Sequence, residues 1–411
     1  MSSHPIGAPS RLSESRPPGA WPSYAALAAV GYVIYGLGAV GPYLRERLGL
    51  SDAEVGLHST ALAVGLIAAG VAAAEVGRRF GERVARGAAV VCLVAAVVLI
   101  GAAPSIVATL AAAGLIGFGA GTLLGYANAS LGASGGTVAR RQLARGNVWA
   151  MVAAFAAPLA LASAATSGIG WPGGLAPAVG LLAVVASELR FRPRMPVTAS
   201  RTAGDDRLPG TFWRAWTYVV AVVAVEFSIV FWAATLVERR AGTSIPEATS
   251  IAALFLGGMF AGRLAMGYGL AAGHAPRSTA RAALVVVGVG GLVAWVTTSP
   301  VVAAAGLFVA GLGVAGLYPL GVAAALATAP GRLALAGNRL TVASGLAILV
   351  APLALGAIAD VTGVVAGWGL VIALVAAAVV LATGLSGERE VDAAIRPAAP
   401  GPQPGSGARF G

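Results

Sequence analysis

Charge is what this sequence has least of: only 10% of its 411 residues are charged, against about a quarter in a soluble domain. That scarcity argues against an ordinary water-soluble globule and for a chain whose solvent is lipid. Lysine is missing altogether, so all 27 basic residues are arginine. With the abundance of Ala, Gly and Val, this points to a GC-rich bacterial genome. The lone cysteine, Cys92, sits in an apolar run, which excludes an intrachain disulfide and a cysteine metal cluster. The three histidines, His4, His58 and His274, have no ligand spacing, and no metal or other cofactor is expected. The glycine-rich run Gly114–Gly121 has neither a preceding strand nor a following Lys-Ser/Thr. It reads as a helix-packing surface rather than a nucleotide loop, which argues against an ATP-driven pump. No nucleophile–base pair stands out, so no enzyme is expected.

What is present is apolar sequence, 58% of the chain, with a mean hydropathy of +0.84. A spanning helix needs about 20 mostly apolar residues, and twelve segments qualify. The first six are Trp21–Leu44, Glu54–Val76, Gly87–Ala103, Ser105–Ala129, Asn147–Gly168 and Trp171–Leu189. The second six are Trp213–Val237, Ser250–Leu270, Ala280–Thr298, Val301–Ala327, Asn338–Ala359 and Val364–Gly384. The expected organisation is a disordered cytoplasmic N-terminus (1–20), a six-helix bundle (21–189), a central cytoplasmic loop (190–212), a second six-helix bundle (213–384) and a disordered cytoplasmic tail (385–411). The apolar run after residue 20 is too long for a signal-peptide core and reads as an uncleaved first span.

The net charge of +11 would invite a nucleic-acid partner in a soluble protein. Here the arginines fall in short gaps between apolar runs. Those after spans 2, 4 and 6 are rich in arginine, while those after spans 3, 5 and 9 hold no charge. By the positive-inside rule both termini are cytoplasmic. The gaps after spans 1 and 7 mix signs: Arg45, Glu46, Arg47 and Asp52 in one, and Glu238, Arg239, Arg240 and Glu247 in the other.

The two sets of six are copies. Adding 194 carries Gly117 to Gly311, Gly119 to Gly313 and Arg145 to Arg339, and it carries Ala157-Pro158-Leu159-Ala160-Leu161 onto Ala351-Pro352-Leu353-Ala354-Leu355. Chance identity is easy in sequence rich in Ala, Gly and Leu, but an arginine, two glycines and a five-residue string at one offset mark two homologous halves. Parallel repeats of this kind are a recurrent transporter architecture. The fold class is therefore an all-α membrane protein with twelve transmembrane helices in two parallel six-helix pseudo-repeats.

This layout resembles the major facilitator superfamily, and local motifs agree. Gly36-Leu37-Gly38 through Gly41-Pro42-Tyr43-Leu44-Arg45-Glu46-Arg47-Leu48-Gly49-Leu50-Ser51 is similar to that family's first helix and outer loop. Gly77-Arg78-Arg79-Phe80-Gly81-Glu82-Arg83 is similar to its loop between helices 2 and 3, and Gly258-Met259-Phe260-Ala261-Gly262-Arg263 to part of helix 8. The loop departs from the pattern: Arg78 stands where the family has an acid, and Glu82 where it has a base. Glu75, one turn earlier, is placed to take over the acid's role or simply to end its helix. The drug/proton antiporter branch usually has an arginine in helix 4 and glycines around the proline of helix 5. Here span 4 lacks the arginine, and Pro158 is flanked by Ala154 and Ala157.

Among candidate functional residues Glu226 comes first, near the centre of span 7. A charged group at that depth costs roughly 3 kcal/mol or more on insertion scales, so the carboxyl is expected to be neutral, paired or reached by water. The resemblance puts helix 7 beside a central cavity, so Glu226 is the candidate for proton coupling; the alternative is a protonated glutamate bonded to a neighbouring helix. Arg263, about 20 Å into a core of about 30 Å when counted from Ser250, pairs with Glu226, binds an anionic substrate or braces the cytoplasmic gate. Few charges in the cavity argue against highly charged substrates unless Arg263 faces inward. Glu75, Arg78, Arg79, Arg83, Arg145, Arg263 and Arg339 form the expected gate network, with Arg145 and Arg339 read as the starts of spans 5 and 11. Positive-inside anchoring is the alternative for those two. Tyr32, Tyr35, Asn128, Trp232 and Tyr318 are the candidate cavity lining, since aromatic walls with a few polar groups suit a small organic solute.

The reading is a monomeric secondary transporter in a bacterial cytoplasmic membrane, moving a small organic solute by alternating access with protons as the coupling ion. A proton-independent facilitator, an exporter of the antiporter branch and a non-transporting receptor or scaffold are the alternatives.

Overall fold

The computed structural model describes residues 20–102, 104–189, 207–267 and 276–385. Most of the expected N-terminal segment, central loop and C-terminal tail lies outside them. In order, the helices are α1 (Trp21–Leu48), α2 (Asp52–Phe80), α3 (Glu82–Ala102), α4 (Ile106–Gly132), α5 (Gly136–Thr166) and α6 (Ala176–Glu188), the last entered through a 3-10 turn at Trp171–Leu175. The second half has α7 (Gly210–Ala241), α8 (Ile245–Gly267), α9 (Pro276–Val296), α10 (Pro300–Val314), α11 (Leu317–Ala327), α12 (Leu333–Thr362), α13 (Val364–Gly367) and α14 (Gly369–Ala382). Twelve spans long and apolar enough to cross a bilayer are found among the described residues, with α10–α11 and α13–α14 each forming one.

Several helices start before their apolar stretch does. α3 begins at Glu82, α5 at Gly136 and α12 at Leu333, because hydropathy marks the part in hydrocarbon while the backbone goes on bonding to itself beyond it. Arg145 therefore lies about two and a half turns inside α5 and Arg339 nearly two turns inside α12, not at their starts. The tenth span is broken rather than continuous. Pro319 has no N–H to offer the carbonyl of Ala315, and its ring crowds that carbonyl, so the chain breaks between Val314 and Leu317.

The duplicated glycines make equivalent contacts in both halves. A Cβ on Gly117 would collide with the Leu62 carbonyl of α2, and one on Gly311 with the Phe255 carbonyl of α8. Gly119 and Gly313, two residues on and facing the other side, do the same: added Cβ atoms would lie 2.8 Å from the Ala89 oxygen of α3 and 2.6 Å from the Ala283 oxygen of α9. Lipid removes the hydrophobic drive for helix association, so close backbone approach through small residues supplies the packing. Leu161 and Leu355, the last residues of the repeated string, are both fully buried. Gly311→Val is expected to force α8 and α10 apart and to cost about 1–3 kcal/mol or more. The check is a lower melting temperature and aggregation of the detergent-purified protein; an unchanged melting temperature contradicts this packing.

The halves meet most closely at one rim. There α2 runs along α12, with Gly56 beside Pro352 and Leu353, Thr60 Oγ1 donating to the Leu349 carbonyl at 2.8 Å, and Ile67 against Gly345. Beyond Ile67, Val71 of α2 is 77% exposed, and before Gly345, Val342 of α12 is 47% exposed. The bundles are joined at the rim where α1 ends and α2 begins, and they splay toward the rim where α2 ends and α3 begins.

Candidate functional site

The two longest buried helices, α1 and α7, carry the site, and both run through the centre of the molecule. Tyr35 lies midway along α1 and Glu226 midway along α7. The Tyr35 hydroxyl donates to Glu226 Oε1 at 2.7 Å, and its ring stacks on Phe227 with centroids 6.2 Å apart. Glu226 is buried, at 6% exposure. The approach of the helices is set by Gly38, where a Cβ would lie 2.8 Å from the Val230 carbonyl. A carboxyl so placed is accommodated in either state: ionised, it accepts the hydrogen bond of the Tyr35 hydroxyl; protonated, it is neutral among the apolar valines of its own helix. The guanidinium of Arg263, on α8, is the positive charge that acts on both Glu226 and Tyr35. It lies beyond ion-pair distance from the carboxyl, since none of the ion pairs within 4.0 Å among the described residues involves it.

The other candidate lining residues go elsewhere. Tyr32 donates to the Gly174 carbonyl at 2.5 Å, inside the first bundle. Trp232 is fully buried and donates to the Pro352 carbonyl at 2.9 Å. That bond and the one from Thr60 engage two carbonyls of α12, which runs unbroken through Pro352. Tyr318 opens α11 just after the break and is 37% exposed, and Asn128 is exposed on α4.

The candidate gate residues are not assembled across the halves. Glu75 pairs with Arg78 and Arg79 of its own helix, at the exposed end of α2. Arg83, Arg145 and Arg339 are exposed, and no ion pair involving them is present among the described residues. The Arg339 carbonyl accepts from Trp216 Nε1 at 2.7 Å, a contact within the second half.

The assembled network is at the opposite rim, and the sequence reading did not single it out. Arg45, at the end of α1, reaches Asp52 at 3.3 Å and Glu238, at the end of α7, at 2.6 Å. The Asp360 carboxylate, from the end of α12, accepts the Asp52 and Ala53 N–H groups at 2.7 and 3.0 Å. These are orphan donors of the α2 N-terminus, where a carboxylate also meets the positive end of the helix. Ser51 and Glu54 complete that end with a capping box. Two further arginines brace helix ends within their own halves: Arg47 donates to the Gly101 carbonyl at 3.1 Å and Arg240 to that of Val296 at 2.9 Å. The available signal was the mixing of signs in the gaps after spans 1 and 7, where the repeat offset carries Arg45 onto Arg239, next to Glu238.

The molecule is thus a multi-pass membrane protein of twelve spans in two parallel bundles, with a polar pair between them. Its fold is that of the major facilitator superfamily. No protein-family model matches the chain, and no curated protein matches it. Solved structures do. One of a proton dependent oligopeptide transporter is 13% identical, covering 92% of this chain and 99% of its own, with a TM-score of 0.70. The nucleoside transporter NupG is 14% identical over 90% of this chain and 98% of its own, with a TM-score of 0.67. A bacterial homologue of the human lysosomal transporter Spinster, inward-facing and occupied, is 16% identical over 88% and 94%, with a TM-score of 0.64. All are transporters rather than enzymes.

Proposed function

We propose that this protein is a secondary active transporter of a small organic solute. It works as a monomer by alternating access in a bacterial cytoplasmic membrane, with both termini cytoplasmic and Glu226 as the proton-coupling residue. The observation that carries the reading is the Tyr35–Glu226 hydrogen bond: a buried carboxyl at mid-membrane depth, bonded across the interface of the two halves. An ionisable group held there changes its contact with the other bundle when its protonation changes. The arginine pattern sets the orientation, so the joined rim is the outer one and the splayed rim faces the cytoplasm; the state is inward-facing. In the opposite state Glu75, Arg78, Arg79, Arg83, Arg145 and Arg339 close the cytoplasmic rim, and Tyr318 lines the solute path. Names among the structural neighbours that include a proton dependent oligopeptide transporter and a fucose:proton symporter support proton coupling.

The test is flux in proteoliposomes. Solute uptake should follow an imposed pH gradient and lose its driving force when a protonophore is added. Uptake indifferent to the protonophore makes the protein a facilitator, and no solute-dependent flux removes the transport reading.

A further inference from the structure

One arginine of the second half, Arg263 in the last third of α8, lies inside the protein without an ion-pair partner among the described residues. Arg263 shares its face of α8 with Leu256 and Thr249, seven and fourteen residues earlier, which are 4% and 0% exposed. That seven-residue spacing keeps one stripe of the helix turned inward, so Arg263 is directed into the protein and not toward lipid. Its Nε is buried with no hydrogen-bond partner among the described residues. The whole side chain makes no ion pair within 4.0 Å among the described residues, yet its charge reaches both members of the Tyr35–Glu226 pair. Arg45, by contrast, is fully employed by two carboxylates. Guanidinium cannot discharge itself by losing a proton, and inside a membrane protein such a group pairs or marks a substrate path.

We propose that Arg263 receives the anionic group of the transported solute, which makes the substrate class a small organic monoanion such as a carboxylate. The inference rests on the transport reading and deepens it. The planar fork of the guanidinium matches a carboxylate bidentately. One permanent positive charge is balanced by one negative charge on the solute once Glu226 carries its proton, whereas a dianion leaves an excess negative charge and a neutral solute leaves the cation bare. Loaded with the monoanion and the proton, the site formed by Arg263 and Glu226 then carries no net charge. Tyr35 and Phe227, stacked beside the carboxyl, give the apolar part of the solute an aromatic wall.

The experiment is a thermal-shift screen on the full-length purified protein with matched pairs, benzoate against benzamide, hexanoate against hexanamide and pyruvate against acetone, together with choline as a cation. Hits are then followed by counterflow in proteoliposomes. The acid member of at least one pair is expected to raise the melting temperature while its neutral mate does not. Arg263→Gln should weaken that anion by about ten- to a hundredfold, and Arg263→Lys, which keeps the charge but loses the fork, should weaken it less. If Arg263→Gln does not fold, the ranking of wild type against Arg263→Lys decides. Neutral or cationic hits, a panel in which no acid shifts the wild type, or an anion effect unchanged in both variants overturns the proposal. Anion binding that depends on Arg263 without any counterflow leaves this inference standing and removes the transport reading. Counterflow of a neutral solute does the reverse.

Discussion

Glu226→Gln is expected to leave solute exchange running and to abolish accumulation driven by a pH gradient. Glutamine has nearly the same shape and keeps an oxygen for the Tyr35 hydroxyl, so the 2.7 Å contact between α1 and α7 survives. What it lacks is a proton to bind and release. A pH difference of one unit is worth about 1.4 kcal/mol per proton, which sustains about tenfold accumulation if one proton moves with each solute. The variant should fall to no accumulation while its counterflow stays within a few-fold of wild type. Wild-type accumulation in the variant rules Glu226 out as the coupling group. Loss of both activities with a lowered melting temperature would mean that the carboxyl serves the structure of the interface instead.

Arg45→Met is expected to loosen the joined rim. It removes the side chain that ties Asp52 of the first half and Glu238 of the second, and it leaves two carboxylates facing each other. Side-chain exposures of 12%, 15% and 19% make this a largely buried cluster with some access to solvent. We therefore expect roughly 1–3 kcal/mol, below the 3–5 kcal/mol range for breaking a fully buried pair. Each 1.4 kcal/mol moves a two-state population tenfold, so the balance should shift toward the state open at this rim. Spin labels at Glu46 and Thr362, both exposed at the rim and in different halves, read the change as a longer distance population in Arg45→Met. An unchanged distance distribution contradicts the role of Arg45. Restoring the balance by also replacing Glu238 with glutamine would show that the uncompensated acid drives the opening.

The fold was legible from two features that physics keeps in the open: apolar runs of spanning length, and a repeat whose glycines and prolines must be conserved in kind to pack in kind. Gly117 with Gly311, and Gly119 with Gly313, were readable as a pair before their contacts were known, because no other residue fits against a neighbouring backbone at that distance. Glu226 was legible for a related reason, the cost of a carboxyl in an apolar helix. Its partner was only partly so: Tyr35 was one of five candidate lining residues, and nothing in composition distinguishes it from Tyr32, which turns to Gly174 in its own bundle. Three residues on one helix are nearly a full turn, so the two rings leave the same face of α1 about 60° apart, and only the neighbours determine which hydroxyl meets the acid. The rim network was illegible because its members are far apart in the chain: Asp360 bonds to residues 52 and 53. Each alone is an ordinary charge at a helix end. The helix breaks and early starts escaped for local reasons, since hydropathy does not report backbone hydrogen bonding and Pro319 sits within an otherwise unbroken apolar run.

The most direct test of alternating access is to seal the joined rim and measure transport. In a Cys92→Ala background, cysteines replacing Ala53 and Asp360 face each other across the halves, where the Ala53 N–H now meets the Asp360 carboxylate at 3.0 Å. A short, cleavable thiol-to-thiol crosslinker should stop solute flux in proteoliposomes, and cleavage with a reductant should restore it to the level before crosslinking. Flux that continues undiminished through a protein with this rim crosslinked would contradict the cycle in which this structure is the inward-facing state.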